Sequence, residues 1–121
     1  MNASLIDTNF ISVSVLEDMQ QVGEWLREHP YYVIVDEDLQ KIGIVTAEDV
    51  IRFPNHKLID CDFIKPLIMA GQNERAVFEI MKSTNNPYLP VYNGDQLIGV
   101  LSIFSLAEFL IKEIDCEPSK P

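Results

Sequence analysis

Cysteine is scarce in this 121-residue chain: there are two, Cys61 and Cys116, and they show no metal-ligand spacing. That excludes the disulfide framework of a small secreted domain and fits a reducing compartment. Base is scarce as well, with 9 Lys and Arg against 19 Asp and Glu and a net charge of -10. Such a balance argues against nucleic acid or an anionic membrane as a partner, and it makes an anionic ligand harder to hold. No stretch approaches the ~18 consecutive apolar residues of a membrane span. Asp7, Thr8 and Asn9 interrupt the first residues before they could form the apolar run of a secretory leader, so the expected location is the cytoplasm. A catalytic constellation is missing too. His29 and His56 fall in expected loops near Pro30 and Pro54, with no Ser or Cys nucleophile placed to make a triad. Asp36-Glu37-Asp38 reads as a solvated turn and Asp60 with Asp62 as a solvated connector, because a divalent cation needs oxygens converging from several positions.

What the chain does have is one stretch that occurs twice. Tyr32 to Phe53 (YVIVDEDLQKIGIVTAEDVIRF) is followed, 56 residues on, by Tyr88 to Phe109 (YLPVYNGDQLIGVLSIFSLAEF). Laid over each other without a gap, 6 of the 22 positions are identical, including Tyr32/Tyr88, Val35/Val91 and Gly43/Gly99; composition alone gives roughly one or two matches. Conservative swaps such as Thr46/Ser102 and Val50/Leu106 add to the likeness. A period of this size marks a repeated supersecondary unit.

Each copy reads as strand, tight turn, strand, helix. Val33-Ile34-Val35 and Leu89-Pro90-Val91 are apolar runs, followed by acidic or Asn93-Gly94 turn material and then by the runs Ile42 to Val45 and Leu97 to Leu101. Asn93-Gly94 is a two-residue hairpin signal. Beyond Thr46 and Ser102 the apolar residues recur at helical spacing: Val50 and Phe53, then Leu106, Leu110 and Ile114. Before the first copy, Phe10 to Val15 predicts a short extended segment. Ser14-Val15-Leu16-Glu17 has the form of a capping box opening a helix over 16–28, with Leu16, Met19, Val22 and Leu26 on one face and His29-Pro30 as its stop. Before the second copy, an apolar stretch from Phe63 to Met69 and a loop at Gly71 lead to a helix over 73–82 that buries Ala76, Val77, Ile80 and Met81. Residues 1–9 are expected to be an N-terminal arm, 10–57 a first unit, 58–114 a second unit, and 115–121 a tail or linker, whose composition is that of a piece joined to something longer.

Thr46 and Asp49 carry the chemical interest. Their plainest reading is structural: Thr at the N-cap and Asp three residues on form a capping box worth about 1 kcal/mol, with no ligand required. The same geometry also serves binding. A capped helix start offers N–H groups and a hydroxyl to a phosphate, while a carboxylate accepts two hydrogen bonds from a ribose diol.

The unit order, with an amphipathic helix before each copy, is similar to the CBS domain. Gly43-Ile44-Val45-Thr46-Ala47-Glu48-Asp49-Val50 follows that family's closing pattern of Gly, two apolar residues, Thr or Ser, two variable residues, Asp and an apolar residue. Leu89-Pro90-Val91 matches its "LPV" strand, and Val33-Ile34-Val35 takes that place in the first unit. Two units in tandem resemble a Bateman module over about residues 10–114.

The resemblance implies an α/β (α+β) fold: two CBS units, each a small sheet packed against helices, related by pseudo-twofold symmetry. It implies that Thr46 contacts phosphate and Asp49 the ribose hydroxyls of an adenosine compound, AMP, ADP, ATP or S-adenosylmethionine. The adenine would lie against the partner unit, at Ile64 to Ala70 and at Pro87, Tyr88 and Leu89. In the second copy Ser102 can still cap, but Ser105 stands where the ribose carboxylate belongs, so that site is expected to be degraded. The acidic charge favours AMP or an S-adenosyl compound over a polyphosphate, with Arg52, Lys65 and Arg75 the cations within sequence reach of Thr46 and Asp49 and Lys41 at the far end of the strand. Bateman modules associate through their helices, so a homodimer is expected, signalling to an effector domain or partner protein. Three functions follow from different classes: a regulatory ligand-binding module, a ligand-free dimerisation or interaction module, and, with least support, an enzyme.

Overall fold

A computed structural model describes residues 1–63 and 65–115; Ile64, Cys116 and the rest of the expected tail lie outside the described residues. The chain forms two sheets. The first holds β2 (Ser12–Ser14), β3 (Tyr31–Val35) and β4 (Lys41–Thr46) in the order β2-β3-β4. The second holds β1 (Ile6–Asp7), β5 (Ile68–Met69), β6 (Tyr88–Asn93) and β7 (Gln96–Ser102) in the order β1-β7-β6-β5. Each unit contributes two helices, α1 (Met19–Trp25) and α2 (Ala47–Arg52) to the first and α3 (Glu74–Ser83) and α4 (Ile103–Asp115) to the second.

The two sheets are built alike. β2 runs parallel to β3 and β5 parallel to β6, while β3-β4 and β6-β7 are antiparallel hairpins. Their registers show that a gapless overlay misplaces the first strand by one residue. Thr46 lies opposite Tyr31 and Gly43 opposite Ile34; Ser102 lies opposite Tyr88 and Gly99 opposite Val91. Tyr88 therefore corresponds to Tyr31 and not to Tyr32, and the counterpart of Leu89-Pro90-Val91 is Tyr32-Val33-Ile34. The register shift confirms it, falling between Ile34 and Val35 in one hairpin and between Val91 and Tyr92 in the other. The extra residue sits in the first hairpin loop, where Asp36 Oδ1 accepts from the N–H groups of Asp38 and Gln40 (both 2.9 Å) and Leu39 takes a φ of 61°. The second loop is Gly94-Asp95 between the paired Asn93 and Gln96. Gly94, at φ 61°, supplies the positive φ that a II′ turn asks of its first central residue, so the turn lies one position beyond the expected Asn-Gly pair.

Three apolar clusters fill the molecule. Val13, Met19, Val22, Tyr32, Ile34 and Val45 pack with α1 under the first sheet. Ile68, Val77, Met81, Leu89, Leu101 and Leu106 do the same between α3, α4 and the second sheet. Between the units Tyr31, Val33, Ile44, Leu97 and Val100 meet, with Phe10, Tyr88 and Tyr92 against them. Ile44 and Val100 are repeat counterparts, so this third cluster lies where the two units face each other. Each β-hairpin is thus covered by helices on one face and by the other hairpin on the opposite face, which is why its strands are apolar without alternation.

Several local expectations change. The Ser14 hydroxyl accepts from Leu16 N–H (3.1 Å), but it closes a turn after β2. The helix starts only at Met19 with Asp18 as N-cap and ends at Trp25, and Leu16, outside it, is 51% exposed. In α3, capped by Asn73, Val77 and Met81 are buried, Ile80 is half-buried and Ala76 faces solvent. In α4 Leu106 is buried, Leu110 half-buried and Ile114 exposed. The first nine residues are not a free arm. Ile6 and Asp7 pair with Leu101 and Val100 as an edge strand of the second sheet, the Met1 amine donates to Ala70 O (3.1 Å), and Asn2 N–H donates to Glu74 Oε2 (2.9 Å). Leu58 and Phe63, numbered with the second unit, pack on the first core.

Candidate functional site

β4 delivers Thr46 to the edge of the inter-unit boundary, and α2 begins directly after it. The backbone at Thr46 is extended, and the capping box expected from the sequence is formed. Asp49 Oδ2 accepts from Thr46 N–H (2.8 Å) and from the Thr46 hydroxyl (3.2 Å). Both side chains are buried. With six residues, α2 is under two turns and adds little macrodipole of its own.

The third member of the site comes from the segment between the units. Lys65 Nζ donates to both carboxylate oxygens of Asp49, at 2.9 Å to Oδ2 and 3.1 Å to Oδ1. The pair is shielded from water, with Lys65 8% and Asp49 7% exposed. Breaking such a pair from one side leaves an uncompensated buried charge and costs about 3–5 kcal/mol. Lys65 also lies 5.6 Å over the Phe63 ring.

A polar cleft of about 90 Å³ opens beside this triad, lined by Glu48, Asp49, Arg52, Lys65, Thr84 and Asn86. Ligand pockets run to about 300–1,000 Å³, so the cleft as it stands is too small for a nucleoside. Arg52 is held by Glu48 at 3.2 Å, an exposed pair one helical turn apart. Thr84 and Asn86 come from the loop after α3, where Asn86 Nδ2 donates to Thr84 Oγ1 (2.9 Å). Neither residue is recognisable from sequence as lining the site, because nothing in their spacing connects them to Thr46.

The remaining candidates lie in different places. Ile64 lies outside the described residues. Leu89 is fully buried in the second core, and Ala70 packs against that core, its N–H donating to Tyr92 O (2.9 Å). Pro87 is exposed beside a separate cavity of about 250 Å³ with Met81, Lys82, Asn85, Asn86 and Ile103. Tyr88 packs between Tyr31 (5.2 Å between centroids) and Phe104 (6.2 Å), its ring tilted to both. Arg75 is exposed on α3, where its N–H donates to Asn73. Lys41 lies over the Phe10 ring at 5.5 Å, away from Asp49.

In the second unit Ser102 Oγ accepts from Phe104 N–H (3.1 Å), and Ser105 is exposed. Register places Val13 opposite Ile34 and Ile68 opposite Val91, which makes Val13 and Ile68 counterparts. Three residues before them stand Phe10 and Lys65. Ser105 thus stands where the first unit has Asp49, and Phe10, the equivalent of Lys65 by strand count, lies in the inter-unit apolar layer under Lys41.

Cys61 is half-buried against the first core, its thiol donating to Lys57 O (3.2 Å). Burial, then the charges of Asp49 and Asp60, push its pKa up, which suits a protonated packing thiol and not a nucleophile. Among the described residues no three His, Cys, Asp or Glu side chains converge as metal ligands, and no helix is long and apolar enough to cross a membrane.

No family model and no curated protein matches the sequence. Solved structures do. The CBS domain pair/ACT domain protein of Thermotoga maritima shares 17% identity over 92% of this chain and 96% of its own, with a TM-score of 0.68. The cytosolic domain of the Mg2+ channel MgtE, in complex with ATP, shares 17% identity over 87% of this chain and 46% of its own, at 0.66. A CBS domain pair in complex with 5′-methylthioadenosine and S-adenosyl-L-methionine reaches 0.72, at 15% identity over 91% of this chain and 94% of its own. With two hairpins of matching register, each flanked by a parallel strand and two helices and facing each other across a shared apolar layer, and with these structural likenesses, the chain has the fold of a tandem CBS domain pair.

Proposed function

We propose that the chain is a regulatory CBS-pair module that binds an adenosine-containing ligand at its first-unit site and signals to a partner or attached domain. The observation that carries this is the Asp49 carboxylate, buried at the unit boundary beside Thr46 and Lys65, in a fold whose solved examples include complexes with ATP and with S-adenosyl-L-methionine. Asp49 serves the ribose hydroxyls, Thr46 and Lys65 a phosphate, and the adenine lies toward the loop that carries Asn86, Pro87 and Tyr88. The second site, with Ser105 in place of the carboxylate, has no group to bridge a diol. A homodimer formed through the helices completes the reading, with Phe104 and Ile111 exposed on α4.

Calorimetric titration of AMP, ATP and S-adenosylmethionine into wild type, Asp49→Ala and Ser105→Ala tests it. Asp49→Ala weakens binding by about 1.5–3 kcal/mol, the range for a hydrogen bond to a charged group, and Ser105→Ala leaves it unchanged. Binding to Asp49→Ala that equals wild type sinks the assignment.

A second reading has its own support. The small cleft and the ion-paired Asp49 suit a module that works through association alone. Purified protein that releases no nucleotide and gives no heat with any of the three compounds establishes that reading in place of the first.

A further inference from the structure

The Asp49 carboxylate has no room for a diol while Lys65 is on it. Its two oxygens offer about four lone-pair sites, two apiece: Thr46 N–H, the Thr46 hydroxyl and Lys65 crowd Oδ2, and Lys65 also occupies Oδ1, which leaves one site on Oδ1, too few for the two hydroxyls of a diol. Thr46 is fixed by its place at the end of β4, so Lys65 is the group that must leave. An ammonium that is nine-tenths buried does not leave without a new partner, since stripping it of its counter-charge costs several kcal/mol. Glu48, the other carboxylate lining the cleft, already faces Arg52.

We propose that Lys65 determines the ligand class of this site by exchange: a phosphate on the ligand takes the ammonium, and only then does Asp49 take the ribose hydroxyls. The proposal rests on the adenosine reading above and narrows it to an adenosine 5′-phosphate. Neutral or cationic adenosine compounds, such as 5′-methylthioadenosine or S-adenosylmethionine, free Asp49 without offering Lys65 anything. Two features of the chain support the exchange. Counted from the paired strands, the equivalents of Asp49 and Lys65 are Ser105 in the second unit and Phe10 ahead of the first hairpin, so carboxylate and ammonium are lost together, as expected of groups that function as a pair. The cations lining the cleft are Lys65 and Arg52, and Arg52 is held by Glu48, so the site neutralises one phosphate better than three.

The experiment titrates AMP and adenosine into wild type and Lys65→Met, and follows the lysine side-chain ammonium signals of 15N-lysine-labelled wild type. Wild type prefers AMP over adenosine by about 10- to 100-fold, the worth of one hydrogen bond to a charged group. In Lys65→Met that preference falls to within about threefold, with adenosine bound more tightly than by wild type. The Lys65 ammonium signal shifts on adding AMP and stays in place with adenosine, a readout that holds even if Lys65→Met does not fold. An unchanged preference in Lys65→Met, or a Lys65 signal that ignores AMP, makes the pair a structural strut and overturns the exchange while leaving the adenosine site standing. No binding of either compound to wild type or variant overturns both.

Discussion

Tyr31 and Tyr88 pack against one another across the boundary between the two units, ring centroids 5.2 Å apart and planes tilted by 46°, and they occupy the same position of the repeat, each opposite the hydroxyl residue that precedes a helix. Tyr31 is the more buried of the two, and its hydroxyl donates to Asp7 Oδ2 on the edge strand β1. One aromatic pair thus ties together the first hairpin, the second hairpin and the N-terminal strand.

Alkaline stability follows from this contact. Burial first, then the hydrogen bond to Asp7 and the charges of Asp7 and Tyr88, raise the Tyr31 pKa; burial also raises those of Tyr32 and Tyr92. A phenol whose folded pKa lies above its unfolded value near 10 contributes its full stability below that pH and loses it as the pH rises toward the folded value. The urea midpoint should therefore hold steady from about pH 7 to 9.5 and fall above about 10. Tyr31→Phe should lower stability by about 1 kcal/mol at neutral pH, the worth of the hydrogen bond, and flatten the fall. An equal slope in wild type and Tyr31→Phe assigns the alkaline loss elsewhere.

Gly43 and Gly99, identical by sequence, should respond oppositely to alanine. A Cβ at Gly43 meets nothing within 4 Å, whereas one at Gly99 would lie 2.5 Å from Asp7 O and 2.6 Å from Ile6 Cγ2. Gly43→Ala should raise stability by about 0.4–1 kcal/mol through the unfolded chain. Gly99→Ala should lower it by about 1–3 kcal/mol, the usual cost of overpacking, and displace β1. Paired urea curves, with amide exchange at Ile6 and Asp7, separate the two.

The Lys65–Asp49 pair should be measurable as a coupled pair. Lys65→Met leaves a buried carboxylate without its cation and should cost about 3 kcal/mol or more. Adding Asp49→Asn, which removes the charge but keeps an acceptor for Thr46, should recover much of that loss. A double-mutant cycle in chemical denaturation reads the coupling directly; additive effects would mean the pair has no energetic meaning in solution.

Self-association should depend on α4 and on salt. Phe104, 65% exposed, and Ile111 lie on its outer surface, next to a chain of net charge -10. The dimer should tighten as salt screens the like charges, and Phe104→Ser with Ile111→Ser should yield monomer. Sedimentation at tens of micromolar in low and moderate salt checks both, and a wild-type monomer throughout would contradict the dimer.

Much of the fold was written in local pattern. Apolar runs with turn residues between them mark β3, β4, β6 and β7, and Thr46 with Asp49 is a helix-start signal within four residues of chain, so the capping box could be expected before any packing was known. What sequence could not decide was every relation that depends on distance through space. The one-residue offset between β3 and β6 was hidden because chance identities at Tyr32/Tyr88 and Val35/Val91 favoured a gapless overlay, whereas backbone hydrogen-bonding register places Tyr31 against Tyr88. The start of α1 was misread because a Ser-x-x-Glu pattern serves a turn as well as a helix, and strand pairing through Ser14 keeps that residue in β2. β1 joined the second sheet because β7 had an open edge beside a glycine, a vacancy that exists only once the sheet has formed. Lys65, sixteen residues from Asp49, reaches it because the connection before it, through Leu58, Cys61 and Phe63, packs back on the first core. Composition and periodicity determined which segments would pair and pack; the tertiary structure decided which charges would meet, because a buried carboxylate takes the cation that geometry brings within 3 Å of it and not the one nearest in sequence.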